Sequence, residues 1–258
     1  MSNPQGNFVW YELMTTNTAA AETFYRNVMG WSARDAGMPG MSYTLFGAGE
    51  TSVGGMMTLP AQAAEMGAGP SWIGYVWVEN VDAKAAEVKK AGGAIYREAD
   101  DIPGVGRFAI VADPQGGVLA LFKGAGGEQQ PPGSRRLPGH GGWHELHAKN
   151  GETAFPYYAK LFGWTKADAM DMGPMGIYQI FAAGGETIGG MMTSAPPAPP
   201  AAFWLYYFNV EEINAAAARV RAGGGEILHG PQEVPGGQWI EQCRDPQSAL
   251  FALVGPRG

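Results

Sequence analysis

The chain has 258 residues (27.3 kDa) with 40 Gly and 19 Pro, yet only 16% of its residues are charged, well under the usual ~25%. With 45% apolar and 11% aromatic residues it has material for a core, so a turn-rich folded chain of one or two domains is expected, not a disordered or collagen-like one. Net charge of −7 and a pI near 5.1 argue against a nucleic-acid partner. No apolar run reaches the ~18 residues of a membrane helix, no secretory leader opens the chain, and the single Cys243 excludes an internal disulfide framework, so a cytoplasmic setting without a membrane partner is expected.

In chain order, residues 8–14 alternate and are aromatic-rich, which predicts a strand. Asn17 or Thr18 then caps a helix carrying Ala21, Phe24, Tyr25 and Val28 at helical spacing. Strand-like runs follow near 41–47 and 52–58. The order then recurs: a strand at 72–78, a helix at 82–91 stopped by Gly92-Gly93, and strands near 94–98, 106–112 and 118–123. Asp113-Pro114-Gln115-Gly116 fits a type I turn closing the last hairpin.

Beyond residue 140 the chain repeats itself. WYELMTTNTAAAETFYRNVMGW (10–31) and WHELHAKNGETAFPYYAKLFGW (143–164) share eight of 22 positions, SVGGMMT (52–58) matches TIGGMMT (187–193), and Asp113-Pro114-Gln115 matches Asp245-Pro246-Gln247. The offset stays near 132–135 residues, which marks a tandem duplication. Pro156 interrupts the second copy's first helix, so that helix is expected to start late, capped by Thr153, or to kink. The Gly/Pro-rich stretch 124–140 reads as a linker between domains at 1–123 and 141–258, and SAPPAPP (194–200) as a semi-rigid connector. The expected fold is α+β: four βαβββ units, two per half, forming two curled β-sheet cups with helices packed outside. The pairing of the units, within halves or swapped between them, is left open.

Four such units, the Phe24-Tyr25…Gly30-Trp31 junction and the Asp-Pro hairpins resemble the vicinal oxygen chelate superfamily, which includes glyoxalase I, bleomycin-resistance proteins and extradiol dioxygenases. The resemblance implies a β-cup for a small molecule and, in catalytic members, a divalent metal on His, Gln or Glu. It places the ligand positions on Trp10 and Trp143, Ile73 and Leu205, Ala120 and Ala252, and among Gly54-Gly55 and Gly189-Gly190. None of these side chains ligates a metal. The expectation is therefore no cofactor, with a metal-dependent lyase or dioxygenase as the alternative.

Strand alternation assigns the cup contents. Trp10, Glu12, Tyr75 and Trp77 fall inward in the first half. Trp143, Glu145, His147, Tyr207, Asn209, Glu241 and Cys243 do so in the second, with the last pair exposed to a one-residue register slip. An inward carboxylate among aromatics needs a partner. Glu145 with His147, and Glu12, are thus candidate catalytic acid–base groups, or structural residues bonded to backbone amides or a tyrosine hydroxyl. Gly55 and Gly190 clear floor space for a ligand or form bulges that curl the sheet. Cys243 reads as a buried inert thiol. His140, His144 and His147 do not form a zinc motif, because residues three apart on a strand face opposite sides. The Met-rich segments 36–42 and 169–176 suit lids over the cups, core filler or a homodimer face equally. The candidate partner is a small, mostly apolar organic molecule, either sequestered or acted on by proton transfer of the lyase or isomerase kind; a non-catalytic interaction protein with filled cups is the further alternative.

Overall fold

The computed structural model describes residues 5–38, 40–126, 134–194 and 201–258, so residues 127–133 of the linker and 195–200 of the Pro-rich connector lie outside the described residues. The order is βαβββ four times. The first module is β1 (Phe8–Thr15), α1 (Thr18–Met29), β2 (Ser32–Asp35), β3 (Thr44–Ala48) and β4 (Thr51–Thr58). A short helix, α2 (Ala61–Glu65), leads to the second: β5 (Ser71–Trp77), α3 (Val81–Lys90), β6 (Ala94–Ile102), β7 (Gly106–Ala112) and β8 (Val118–Gly124). The third is β9 (Gly141–Ala148), α4 (Gly151–Phe162), β10 (Thr165–Asp171), β11 (Ile177–Ala183) and β12 (Glu186–Thr193). The fourth is β13 (Phe203–Asn209), α5 (Ile213–Ala222), β14 (Glu226–Val234), β15 (Gln238–Arg244) and β16 (Leu250–Gly255). Each half supplies one eight-stranded sheet, ordered β2-β3-β4-β1-β5-β8-β7-β6 and β10-β11-β12-β9-β13-β16-β15-β14. Among the described residues no helix is long and apolar enough to cross a membrane.

The helices begin and end where local chemistry dictates. Asn17, Asn80 and Asn150 cap α1, α3 and α4 by accepting the backbone N–H of Ala20, Ala83 and Thr153. Gly30 and Gly163 end α1 and α4 in the left-handed region (φ 72° and 75°). The expectation of a late start for α4 with Thr153 as cap is corrected: Asn150 caps it, and Pro156 sits inside a continuous helix. Pro156 and Glu152 are both exposed, so the proline, which cannot bond the carbonyl four residues back, lies on the solvent side of the helix, where its cost is smallest. β2, a strand not singled out from sequence, is a polar four-residue edge strand with no apolar alternation.

Contacts divide the described chain into two compact units, and each unit draws on both halves of the sequence: one gathers 74–126 with 143–194, the other 10–73 with 206–258. In the second of these, the Tyr25 hydroxyl of α1 donates to Asp245 Oδ2 (3.0 Å) at the β15–β16 hairpin and accepts from Trp72 Nε1 (2.9 Å). In the first, the Tyr158 hydroxyl of α4 donates to Asp113 Oδ2 (2.7 Å) at the β7–β8 hairpin and accepts from Trp204 Nε1 (3.2 Å). The other oxygen of each Asp accepts two backbone N–H groups of its own turn: Gln115 and Gly117, and Gln247 and Ala249. The junction tryptophans follow the same exchange, Trp31 Nε1 donating to Gly139 O (2.8 Å) and Trp164 Nε1 to Gly6 O (2.7 Å). Around these bonds pack Trp31, Phe46, Trp72, Phe208 and Phe251 in one unit, and Phe8, Trp164, Phe181 and Trp204 in the other.

Hydrogen bonds to charged groups contribute about 1.5–3 kcal/mol each. Tyr25→Phe and Tyr158→Phe are each expected to lower the unfolding free energy by about that amount, read as a lower urea midpoint at unchanged slope. A change below about 0.5 kcal/mol would show that the tyrosine–aspartate bonds are incidental.

Candidate functional site

The clearest cluster of chemistry is carried by β9, β11 and β12. β9 and β12 pair in parallel with Glu145 beside Gly190, and β11 and β12 pair antiparallel with Ile180 beside Gly190. Period-two alternation therefore puts Trp143, Glu145, His147, Tyr178 and Gly190 on one face. On the opposite face of β9, His144 stacks on Phe8 with ring centroids 3.9 Å apart, its Nδ1 lying 2.5 Å from Ile188 O. His144 is thus part of the core, and the histidines of the HELH run face apart as alternation requires.

On the site face the polar groups form a chain. Trp143 Nε1 donates to the Tyr178 hydroxyl (2.8 Å), that hydroxyl bonds Glu145 Oε2 (2.9 Å), and Glu145 Oε1 lies 2.7 Å from His147 Nε2. Glu145 is 7% exposed, whereas Trp143 and His147 are half-buried. The His147 ring stacks on Phe203 at 4.6 Å and 4°. Burial, and then the charge of Glu145, push the Tyr178 hydroxyl well above its ordinary pKa, so it stays a neutral donor to the carboxylate.

The first half holds the same arrangement without its last member. Trp10 Nε1 donates to the Tyr43 hydroxyl (3.0 Å), which bonds Glu12 Oε2 (3.0 Å). Met14 stands where the second half has His147. Tyr43, like Tyr178, is pushed upward first by desolvation and then by its carboxylate. The two tyrosines were not singled out from sequence, although they sit at equivalent places in the repeat (MSYTLF, 41–46, and MGIYQIF, 175–181). They are the partners that an inward glutamate needs.

Several sequence-based placements need correction. Gly55 and Gly190 do not clear floor for a ligand, because the rings of Tyr43 and Tyr178 lie across the space a Cβ would take. The missing side chain lets each tyrosine cross its strand to reach the glutamate. Glu241 and Cys243 face the helix side: their strand partners are Leu253 and Phe251, and Phe251 packs on Phe24 and Tyr25 of α1. Gln242 takes the face that Glu241 was expected to share with Tyr207, its Nε2 donating to the Tyr207 hydroxyl (2.9 Å). The register slip foreseen for this pair is what the hairpin adopts. Asn209 is occupied as a tether, its Nδ2 donating to the backbone carbonyls of Arg135 and His140. Tyr75 packs on Phe108 and Phe122, and Lys123 Nζ lies 4.2 Å over the Trp77 ring.

No three His, Cys, Asp or Glu side chains come together among the described residues. Glu145 and His147 are two potential metal ligands already bonded to each other, and a catalytic zinc or non-haem iron site uses at least three protein ligands. The described donor set does not fit a metal of the kind the resemblance implied.

A family model described as the Glyoxalase/Bleomycin resistance protein/Dioxygenase superfamily matches residues 7–121 and 127–253. The chain is 30% identical over 256 residues to "Putative glyoxylase CFP32" of Mycobacterium bovis, covering 98% of this chain and 95% of that protein. It is 26% identical over 260 residues to "Anthracycline biosynthesis protein DauV" of Streptomyces sp. (strain C5), covering 95% and 91%. Among solved structures it resembles the Mn(II)-bound glyoxalase from Novosphingobium aromaticivorans, with a TM-score of 0.65, 16% identity and coverage of 100% and 83%. It also resembles homoprotocatechuate 2,3-dioxygenase from B. fuscum, with a TM-score of 0.68, 15% identity and coverage of 100% and 73%. At such identities these structures speak for the fold.

Two predictions follow from the geometry. Gly190→Ala is expected to cost about 1–3 kcal/mol by overpacking against Tyr178. Gly190→Ala with Tyr178→Ala is expected to cost less than the sum of the two single changes in a denaturation cycle; strict additivity would contradict the assigned contact. Glu241 is buried, and neither carboxylate oxygen has a hydrogen-bond partner among the described residues. Desolvation raises its pKa, offset in part by the charge of Arg221. A raised carboxyl pKa means the folded state favours the protonated acid. The destabilisation is therefore absent below the unfolded pKa of about 4.3 and complete above the folded pKa. Glu241→Gln should accordingly be more stable than the parent at pH 7, with the two converging as pH falls toward 4; equal stability at both pH values would refute this.

The match over both halves, the four βαβββ modules and the paired eight-stranded sheets lead to one conclusion: the chain belongs to the glyoxalase/bleomycin resistance protein/dioxygenase superfamily.

Proposed function

We propose that this protein binds a small, mostly apolar, planar organic molecule against the face formed by Trp143, Tyr178 and His147, and acts on it by metal-independent proton transfer of the lyase or isomerase kind. The observation that carries this reading is the 2.7 Å contact between Glu145 Oε1 and His147 Nε2. It joins a buried carboxylate to a half-buried imidazole on an aromatic face, the arrangement general acid–base catalysis uses. The half-buried Trp143 indole and the flat stack of His147 on Phe203 suit a flat ligand. The name of the Streptomyces relative, an anthracycline biosynthesis protein, supports an aromatic polyketide as the class to try first. At Glu12 a methionine replaces the histidine, which favours binding without turnover in the first half.

Titration with hydroxyanthraquinone probes, followed by tryptophan fluorescence, tests the reading. Saturable quenching is expected at micromolar concentrations (about −8 kcal/mol), lost in Trp143→Ala and unchanged after dialysis against a chelator. Binding that appears only after a divalent metal is added, or that survives Trp143→Ala unaltered, would overturn it.

A further inference from the structure

We infer that the proton acceptor of this site is Nδ1 of His147, with Glu145 as a positioning residue that holds the imidazole in its Nε2–H tautomer. This rests on the proposed acid–base reading and assigns the roles within it.

Hydrogen-bond direction carries the assignment. An indole N–H can only donate, so the Trp143 bond makes the Tyr178 oxygen an acceptor. The single Tyr178 proton is then the one placed toward Glu145 Oε2. Taken in the ionised form ordinary for a carboxylate at neutral pH, Glu145 can only accept. Its second oxygen, Oε1, must therefore take a proton from His147 Nε2. In the neutral ring that leaves the lone pair on Nδ1, for which the described residues supply no hydrogen-bond partner. Both Glu145 oxygens are engaged in these bonds, and the His147 side chain is more exposed than that of Glu145 (15% against 9%). The group with a lone pair to offer is the imidazole.

In the step that follows, Nδ1 takes a proton from an acidic C–H of the ligand, and the electron pair of that bond stays on the ligand as an enolate. The imidazolium is stabilised by the ionised Glu145. It returns the proton to another carbon in an isomerisation, or to the departing group in an elimination. The first half has the same donor chain, Trp10 to Tyr43 to Glu12, but Met14 stands where the second half has His147, so no imidazole is there to orient. Proton chemistry is thereby confined to the second half.

The test is the tautomer of His147, read on the intact protein by 15N–1H correlation of the imidazole at a pH where the ring is neutral. The expected result is a protonated Nε2, with a downfield proton protected from solvent exchange, and an unprotonated Nδ1. That protected proton should be lost in Glu145→Ala and kept in a Met14→Leu control. A proton found on Nδ1 in the parent protein would overturn the assignment and return the role of base to Glu145. That outcome would leave ligand binding by the Trp143 face standing, since the anthraquinone titration reads binding independently of the tautomer. A protected Nε2 proton that survives Glu145→Ala would equally overturn it, because the carboxylate would not be what holds the ring.

Discussion

Each compact unit is held at its centre by a tyrosine from one half of the chain bonded to an aspartate from the other: Tyr25 to Asp245, and Tyr158 to Asp113. A buried carboxylate is costly unless it is fully hydrogen-bonded. These two meet the condition by dividing their oxygens, one toward their own hairpin and one toward the foreign helix. The same residue thus closes a turn and receives the opposite half. Trp31 and Trp164 reinforce the exchange by donating to backbone carbonyls that precede the first strand of the other half. The strands follow the order of the halves, and each packed interior draws on both of them.

That arrangement decides which faces are left for chemistry. Aromatic residues on one face of β1 and β9, such as Tyr11 and the His144 position, are drawn into the interiors. The other face carries Trp10 and Glu12, or Trp143, Glu145 and His147. A glutamate there tolerates burial because a tyrosine from the neighbouring hairpin reaches it across a glycine. The two sites began as copies, and one residue separates them. Histidine at 147 bonds the carboxylate of Glu145, whereas a methionine stands at the matching position 14 beside Glu12.

Much of this was legible in the chain. The repeat, the four modules, the Asn17 cap of α1 and the common face of Trp143, Glu145 and His147 all rest on local rules: period-two alternation, side-chain caps, and turn residues at set spacing. What was misplaced depended on register. Glu241 and Cys243 lie on β15, beyond a hairpin whose register sets the face of every following residue, and one position of slip moves them all. The role of Gly55 and Gly190 was misread for a related reason. A glycine shows that space is needed, and only the partner strand shows that a tyrosine ring fills it.

The sequence by itself determined the module, its duplication and the residue types available on each strand, because these follow from interactions a few residues apart. It also showed which metal-binding side chains were missing from the expected positions. Tertiary structure alone decided that the packed interiors would cross the halves and that Tyr43 and Tyr178 would be the partners of the two glutamates. Those outcomes depend on contacts between segments tens to hundreds of residues apart, as in the bond from Tyr25 to Asp245. There the cost of burying a polar group selects among partners that no local pattern can rank.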